Sequence, residues 1–484
     1  LRVDRRTGAT RRFRHEPGNP ASLRDDLVHA ILEDSAGTLW VGTAGGLCRF
    51  DRTAERFEAV RLGVAPLLLT GKPASERIFR LYEDRQHRLW IGLDRSLKRL
   101  DPRTGELTTY PVNESETGLH GYLVEAIQED GRGNLWVGTG YGLNKLDLRT
   151  GKARFFKNNP ADPGSPIGNQ ILCIFRDRRG QLWFCSNKGL SKLVYEGGKE
   201  KFRHYTEASG LPNGLVYGAL EDRQGRFWLS TNLGLARFDP LEERFQNYDL
   251  SDGLMGNEFN MGAFHRSRDG EFFFGGIGMV VSFDPDRLIE NRHLPRVVLT
   301  SFRKFDQPVA VDSLMAHGGE VRLKHNENFF TLEFAALDFT NPQKNRYAYH
   351  LEGLGGGWVD NGTRRYVSFS NLSPGQYVLH VKASNGSGLW NEAGTFRLPI
   401  TIQPPFWRTG WFYALVLTAA GLIVWLTYNH RVRKRVKHLL ELERVALQEN
   451  ERVRRMAAQD LHDEFGNTIT RISMLTELIK ARLN

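Results

Sequence analysis

Cysteine is scarce: Cys48, Cys173 and Cys185 are the only three in 484 residues. Three thiols cannot staple a chain of this length, and no His/Cys cluster stands near them at metal-ligand spacing, so a disulfide framework and a zinc ribbon are excluded. A strict G-X-Y period is also missing. The fifty glycines therefore exclude collagen and favour a turn-dense, strand-rich architecture. The chain opens on Leu1 with neither a Met nor a basic-plus-apolar leader, which reads as a lost targeting segment or a fragment. With 40% hydrophobic and 11% aromatic residues the composition supports packed cores, and the length sets an expectation of about three domains.

Charge is absent from one stretch, Trp411 to Tyr428 (WFYALVLTAAGLIVWLTY). At about 1.5 Å per residue it spans roughly 27 Å, close to the hydrocarbon thickness of a bilayer, with Phe406, Trp407, Trp425 and Tyr428 placed as interfacial aromatics. Directly after it come Arg431, Arg433, Lys434, Arg435 and Lys437 with no acid among them. A buried core helix would not be followed by five uncompensated cations, so the stretch reads as one membrane-spanning helix. By the positive-inside rule, residues 1 to about 410 lie outside and 429–484 inside, in a bacterial inner membrane. The net charge of +10 is thus partly a membrane signal, and no direct nucleic-acid partner is expected.

The outer part repeats. LWVGT at 39–43 returns as LWIGL at 89–93, LWVGT at 135–139, LWFCS at 182–186, FWLST at 227–231 and FFFGG at 272–276, a period of about 45 to 50 residues. Each copy follows an alternating segment ending in Asp (VHAILED, VEAIQED, VYGALED) and precedes another such as GLCRFD or GLARFD, with a fourth run closing the unit. Four short strands per unit is the arithmetic of a propeller blade. In Asp34-x-x-Gly37, Asp130-x-x-Gly133, Asp177-x-x-Gly180 and Asp222-x-x-Gly225 the Asp accepts from the turn backbone and Gly supplies positive φ, predicting a type I turn with a bulge. His87 replaces that glycine in one copy, predicting strain or a rearranged turn. Trp40, Trp90, Trp136, Trp183 and Trp228 recur once per unit at one depth, which points to packing between blades rather than sugar stacking. Cys173 and Cys185 fall on two strands of one hairpin; facing each other and remaining free buried thiols are both open, the second being the blander reading.

These repeats resemble the two-component regulator propeller family over residues 1–294. Residues 1–15 match the last two strands of a further blade, so the fold class is mainly β, with six blades plus a partial one: a truncated seven-bladed propeller, or a six-bladed ring closed by the N-terminal strand. Residues 295–403 alternate as a β-sandwich. Tyr347, Tyr349, Leu351, Trp358, Asn371 to Tyr377 and Pro404 to Trp407 resemble the YYY domain, which implies a relay toward the membrane. Residues 404–428 then form a linker and the transmembrane helix (411–428), 429–458 a signalling helix, and 459–484 the start of a dimerisation and phosphoacceptor domain. The loop 252–260 offers Asn257, Glu258 and Asn260, but Gly-Leu-x-x-Asn also occurs at 210–213, which favours a repeated structural loop.

No Gly or Pro interrupts the chain from Arg431 until Gly466, so a long helix should leave the membrane. Leu461, Phe465, Thr468, Ile472, Leu475 and Ile479 then form a coiled-coil or bundle seam. The segment Glu451 to Asn467 resembles the phosphoacceptor helix of sensor histidine kinases that pair with LuxR/NarL-type response regulators. The resemblance implies His462 as phosphoacceptor, Asp463 as the adjacent acid/base and Asn467 at the phosphatase position, where many relatives carry the longer Gln. It further implies a homodimer, a response-regulator partner and an external small-molecule or oligosaccharide ligand. No cofactor is expected in this chain; ATP and Mg belong to a catalytic domain expected downstream, since no Gly-rich phosphate loop occurs here. Two alternatives remain: a membrane-tethered propeller enzyme acting on polysaccharide, which needs carboxylates converging at one rim, and a non-catalytic receptor, which gives no reason for His462-Asp463.

Overall fold

The computed structural model describes residues 1–63, 76–112, 117–311 and 319–481. Five antiparallel four-stranded sheets follow one another between Val28 and Tyr248, each strand paired with its neighbour in sequence. They run Val28–Val60, Ile78–Pro111, Val124–Phe156, Ile171–Tyr205 and Val216–Tyr248, and are called blades one to five here. A sixth sheet, Phe259–Phe283, has three strands, because past Phe283 the chain turns at Asp284-Pro285 and leaves the ladder. A two-stranded ribbon, Arg2–Val3 with Thr10–Arg11, occupies the segment that resembles a partial blade.

Successive blades pack through their first strands. The tryptophans make the joints: Trp40 clusters with Ile78 and Leu81 of blade two, Trp90 with Val124 and Ile127 of blade three, Trp136 with Ile171 and Ile174 of blade four, and Trp183 with Val216 and Phe227 of blade five. Trp228 meets Phe259 and Phe274 of the sixth sheet. The packing differs between the sixth sheet and blade one. Ile31 is 66% exposed there, whereas its counterparts Ile127 and Ile174 are 3% and 4% exposed. An ion pair spans this junction, Arg268 to Glu33 at 2.8 Å, and Arg5 of the ribbon pairs with Glu271 of the sixth sheet's turn.

The turns form as the motif predicts. Gly37, Gly133, Gly180 and Gly225 all have positive φ, and Gly37, Gly180 and Gly225 donate their amides back to the turn aspartate's carbonyl, while blade three differs in placing Gly131 at positive φ too. His87 keeps the same turn by adopting φ 62° itself, so the strain is accepted rather than avoided. Its ring meets Ser35 Oγ at 2.6 Å and Glu83 Oε1 at 3.1 Å.

The first compact unit comprises Leu1–Arg296 together with two later loops, Ala336–Arg346 and Ala383–Ala393. Asparagines hold these loops: Asn291 donates to Asp338 at 2.6 Å, and Asn385 donates to the Asn291 and His293 carbonyls at 2.8 and 2.9 Å. The second unit holds a sandwich of two sheets, one ordered Gln307–Val309, Val297–Lys304, Phe329–Ala336, Tyr366–Ser370, the other Val321–Leu323, Phe396–Ile402, Gly375–Ser384, Arg346–Glu352, Val359–Gly362. Alternate residues point inward, placing Phe302, Phe330, Leu332, Leu379 and Ile400 in its core. A single helix, α1, then runs Gly410–Lys480.

Candidate functional site

Helix α1 is 71 residues long without a break, about 106 Å of rise. Its first part is the one segment among the described residues that is long and apolar enough to cross a membrane. Thr418 and Thr427, the threonines within that span, donate their hydroxyls to carbonyls one turn back, at 2.8–3.0 Å for Thr418 and 2.9 Å for Thr427, so neither hydroxyl is left for lipid to solvate.

The sequence-selected residues lie on the distal part of α1. His462 and Asp463 are 88% and 73% exposed, with Nδ1 and Oδ1 3.9 Å apart, beyond hydrogen-bond contact but within a rotamer change of it. Asn467 lies four residues after Asp463, on its helical face and exposed. Gly466 stands four residues after His462, and nothing lies within 4 Å of the position a Cβ would take there. In a helix a side chain leans over the turn N-terminal to it, so any larger residue at 466 would cover the flank of His462. Gly466 costs helix stability but leaves the imidazole open on one side. Beside it Leu461, Phe465, Ile472, Leu475 and Ile479 form an exposed apolar stripe. The arrangement can present a solvent-facing imidazole with a neighbouring carboxylate to a reactant arriving from outside the helix.

In the propeller the turn aspartates do more than the sequence suggests. Asp177 Oδ1 accepts from the amides of Arg179 and Gln181 at 3.0 and 2.8 Å, while Oδ2 accepts the indole N–H of Trp183 at 2.9 Å. The same clasp joins Asp34 to Trp40, Asp84 to Trp90 and Asp222 to Trp228 at 2.8, 2.8 and 3.2 Å. Blade three departs. There Asn134 Nδ2 takes Asp130 Oδ2 at 2.7 Å, and Trp136 Nε1 is buried without a partner among the described residues.

Sequence spacing also misses an aromatic group on blade three. His120 stacks on Phe155 with centroids 4.8 Å apart, Tyr141 stacks on the same ring at 6.2 Å, and Tyr122 lies 6.5 Å from Tyr141. Lys157 sits over the Tyr141 ring at 4.1 Å, and both tyrosines are exposed. Three separate elements supply these side chains, so no single motif announces them. Nearby in sequence, Glu125 is buried and its pKa rises to about 7 through desolvation, offset in part by the amide of Gln170 at 3.2 Å. The 252–260 loop is structural: Asn257 caps Leu250 N at 3.0 Å, and Gly210 and Gly253 close matching one-turn helices in the left-handed region.

Known proteins share these parts. The two component regulator propeller family model matches residues 22–45, 118–141, 165–188 and 210–233, and the Y_Y_Y domain model matches 338–403. The copies it passes over are the one with His87 and the one lacking both the turn aspartate and the tryptophan. Histidine kinase P4 of Formosa agariphila is 31% identical over 278 residues, covering 54% of this chain and 20% of that protein. The crystal structure of the extracellular domain of BT3049, described as a hybrid two component system of B. thetaiotaomicron, superposes with a TM-score of 0.65 at 27% identity, over 79% of this chain and 51% of that one. This chain thus spans about a fifth of the curated relative and about half of the solved domain. It combines two component regulator propeller repeats and a Y_Y_Y domain with, among the described residues, one helix long and apolar enough to cross a membrane.

Proposed function

We propose that this chain is the sensing, membrane-spanning and phosphoacceptor portion of a sensor histidine kinase. The observation that carries the reading is the unbroken helix from Gly410 to Lys480, which joins the apolar span directly to His462. A rotation or shift imposed at its outer end reaches His462 without crossing a flexible joint. The relatives' names, histidine kinase and hybrid two component system, support the same assignment.

In this reading a neutral His462 nitrogen attacks the γ-phosphorus of ATP; a P–N bond forms as the bond to the ADP oxygen breaks. Asp463 orients the ring and takes the departing proton. ATP and Mg are presented by a separate catalytic domain. The phosphoryl group then passes to a response regulator of LuxR/NarL type, with Asn467 placed to act on the dephosphorylating water. The exposed stripe from Leu461 to Ile479 is covered by the same stripe of a second chain, giving a parallel homodimer in the inner membrane. External ligand contact is assigned to the Tyr122/Tyr141 face, whose rings and adjacent Lys157 suit a small molecule or oligosaccharide with an apolar ring face and an acidic substituent.

The test joins this chain to a matching ATP-binding domain and supplies ATP and magnesium. Label should appear on His462 as an acid-labile, base-stable phosphoramidate and vanish in His462→Gln. Label persisting in that variant refutes the assignment.

A further inference from the structure

Each of the five four-stranded blades opposes two residues just past the bulge in its first strand. The pairs are Ala30 with Gly42, Arg80 with Gly92, Ala126 with Gly138 and Gly218 with Ser230; in blade four the pair is Cys173 with Cys185. Each of the other four includes a glycine, and space explains it where the next blade crowds in: a Cβ on Gly42 would lie 2.6 Å from Ile78 Cγ2, and one on Gly138 2.7 Å from Ile171 Cγ2. Blade four departs from this rule at both positions together, and by the same residue type.

The two side chains point to one side of the sheet, since both belong to a single buried cluster with Val216, Ala219 and Phe227. Both are buried free thiols in this structure, and burial pushes the Cys185 thiol up. Directly opposed antiparallel residues have Cα atoms about 4.5–5.5 Å apart, inside the roughly 4.4–6.8 Å that a disulfide spans. Cys48 sits in a different cluster, with Phe50 and Phe57.

We propose that Cys173 and Cys185 are joined by a disulfide in the mature protein. The inference rests on the external placement of the propeller, where the medium is oxidising. Both sulfurs are buried once the blade closes, so the bond forms during folding. The Cys173 thiolate attacks the disulfide of an extracytoplasmic dithiol oxidase, releasing one carrier thiolate. The Cys185 thiolate then attacks the Cys173 sulfur and releases the other. One S–S bond breaks and one forms; the chain loses two electrons and two protons, and the carrier gains them.

The test takes the full chain from bacterial membranes, denatures it in excess alkylating agent and maps each thiol by mass spectrometry. In parallel, protease is applied to spheroplasts, whose outer membrane has been opened, to report the side of the inner membrane on which the propeller lies. The expected result is alkylated Cys48 alone, with Cys173 and Cys185 on one linked peptide lighter by two hydrogens. Three alkylated thiols on a protease-accessible propeller overturn the disulfide and leave the sensor reading intact; three alkylated thiols on a protected propeller overturn both. The variant Cys173→Ala/Cys185→Gly restores the pair of blade three. Reductant should lower the unfolding midpoint of the wild type and leave that of the variant unchanged, and a wild-type midpoint indifferent to reductant also overturns the proposal.

Discussion

The indole clasp of blade four should show a measurable coupling that blade three lacks. Asp177→Asn keeps an oxygen for the Arg179 and Gln181 amides but turns an NH₂ toward the Trp183 indole N–H, and Trp183→Phe removes that N–H while keeping an aromatic ring. The lost contact is a buried hydrogen bond to a carboxylate, so each single change should cost about 1.5–3 kcal/mol, and the indole left unpaired adds a penalty of similar size. A double-mutant cycle cancels the shape change of Trp→Phe and should leave a coupling of about 1.5–3 kcal/mol. The same cycle at Asp130 and Trp136 provides the control, because Asn134 occupies Oδ2 and the indole has no partner. There the coupling should stay below about 0.5 kcal/mol. Urea unfolding of secreted residues 1–403, followed by far-UV circular dichroism, reads both cycles. Equal couplings in the two blades would refute the clasp as an energetic feature.

Asp463→Asn should slow phosphorylation of His462 by roughly 10²- to 10⁴-fold with helix content unchanged, the usual worth of a positioned proton acceptor; full activity in a phosphotransfer assay contradicts the assigned role. Gly466→Leu should raise helicity by circular dichroism yet lower the labelling of His462, because the new side chain covers the imidazole's open flank; unchanged labelling removes that account of the glycine. Glu125 holds its proton more tightly folded than unfolded, so its stabilising contribution is full below about pH 4.5 and fades as pH rises through about 7. Glu125→Gln should therefore flatten stability between pH 5 and 8 and gain on the order of 2–3 kcal/mol over the wild type at pH 8, checked by unfolding across that range. A probe at Lys437 should react only from the cytoplasm and one at Glu258 only from outside, and labelling of both from one side would contradict the membrane reading.

The repeat and its turns were legible because they are local. Asp34 and Gly37 are three residues apart, and the turn they make needs only their own backbone and one positive φ. The apolar span at 411–428 and the helix beyond it were equally local, since length, charge and the absence of breakers determine them. His462, Asp463 and Asn467 could be placed on the helix from spacing alone, and α1 carries them at those positions.

Tertiary structure decided whatever depends on which elements meet. The second carboxylate oxygen of four turn aspartates reaches an indole six residues on, and only the strand that follows the turn brings it there, as the exception at Asn134 makes plain. The His120, Tyr122, Tyr141 and Phe155 group comes from three elements with no common period, and the loops 336–346 and 383–393 join the propeller unit through asparagine side chains that sequence reads as ordinary turns. Whether Cys173 faced Cys185 turned on register: a one-residue slip would send one thiol to the opposite face of the sheet, and the bulge between Ile171 and Cys173 is what brings them opposite.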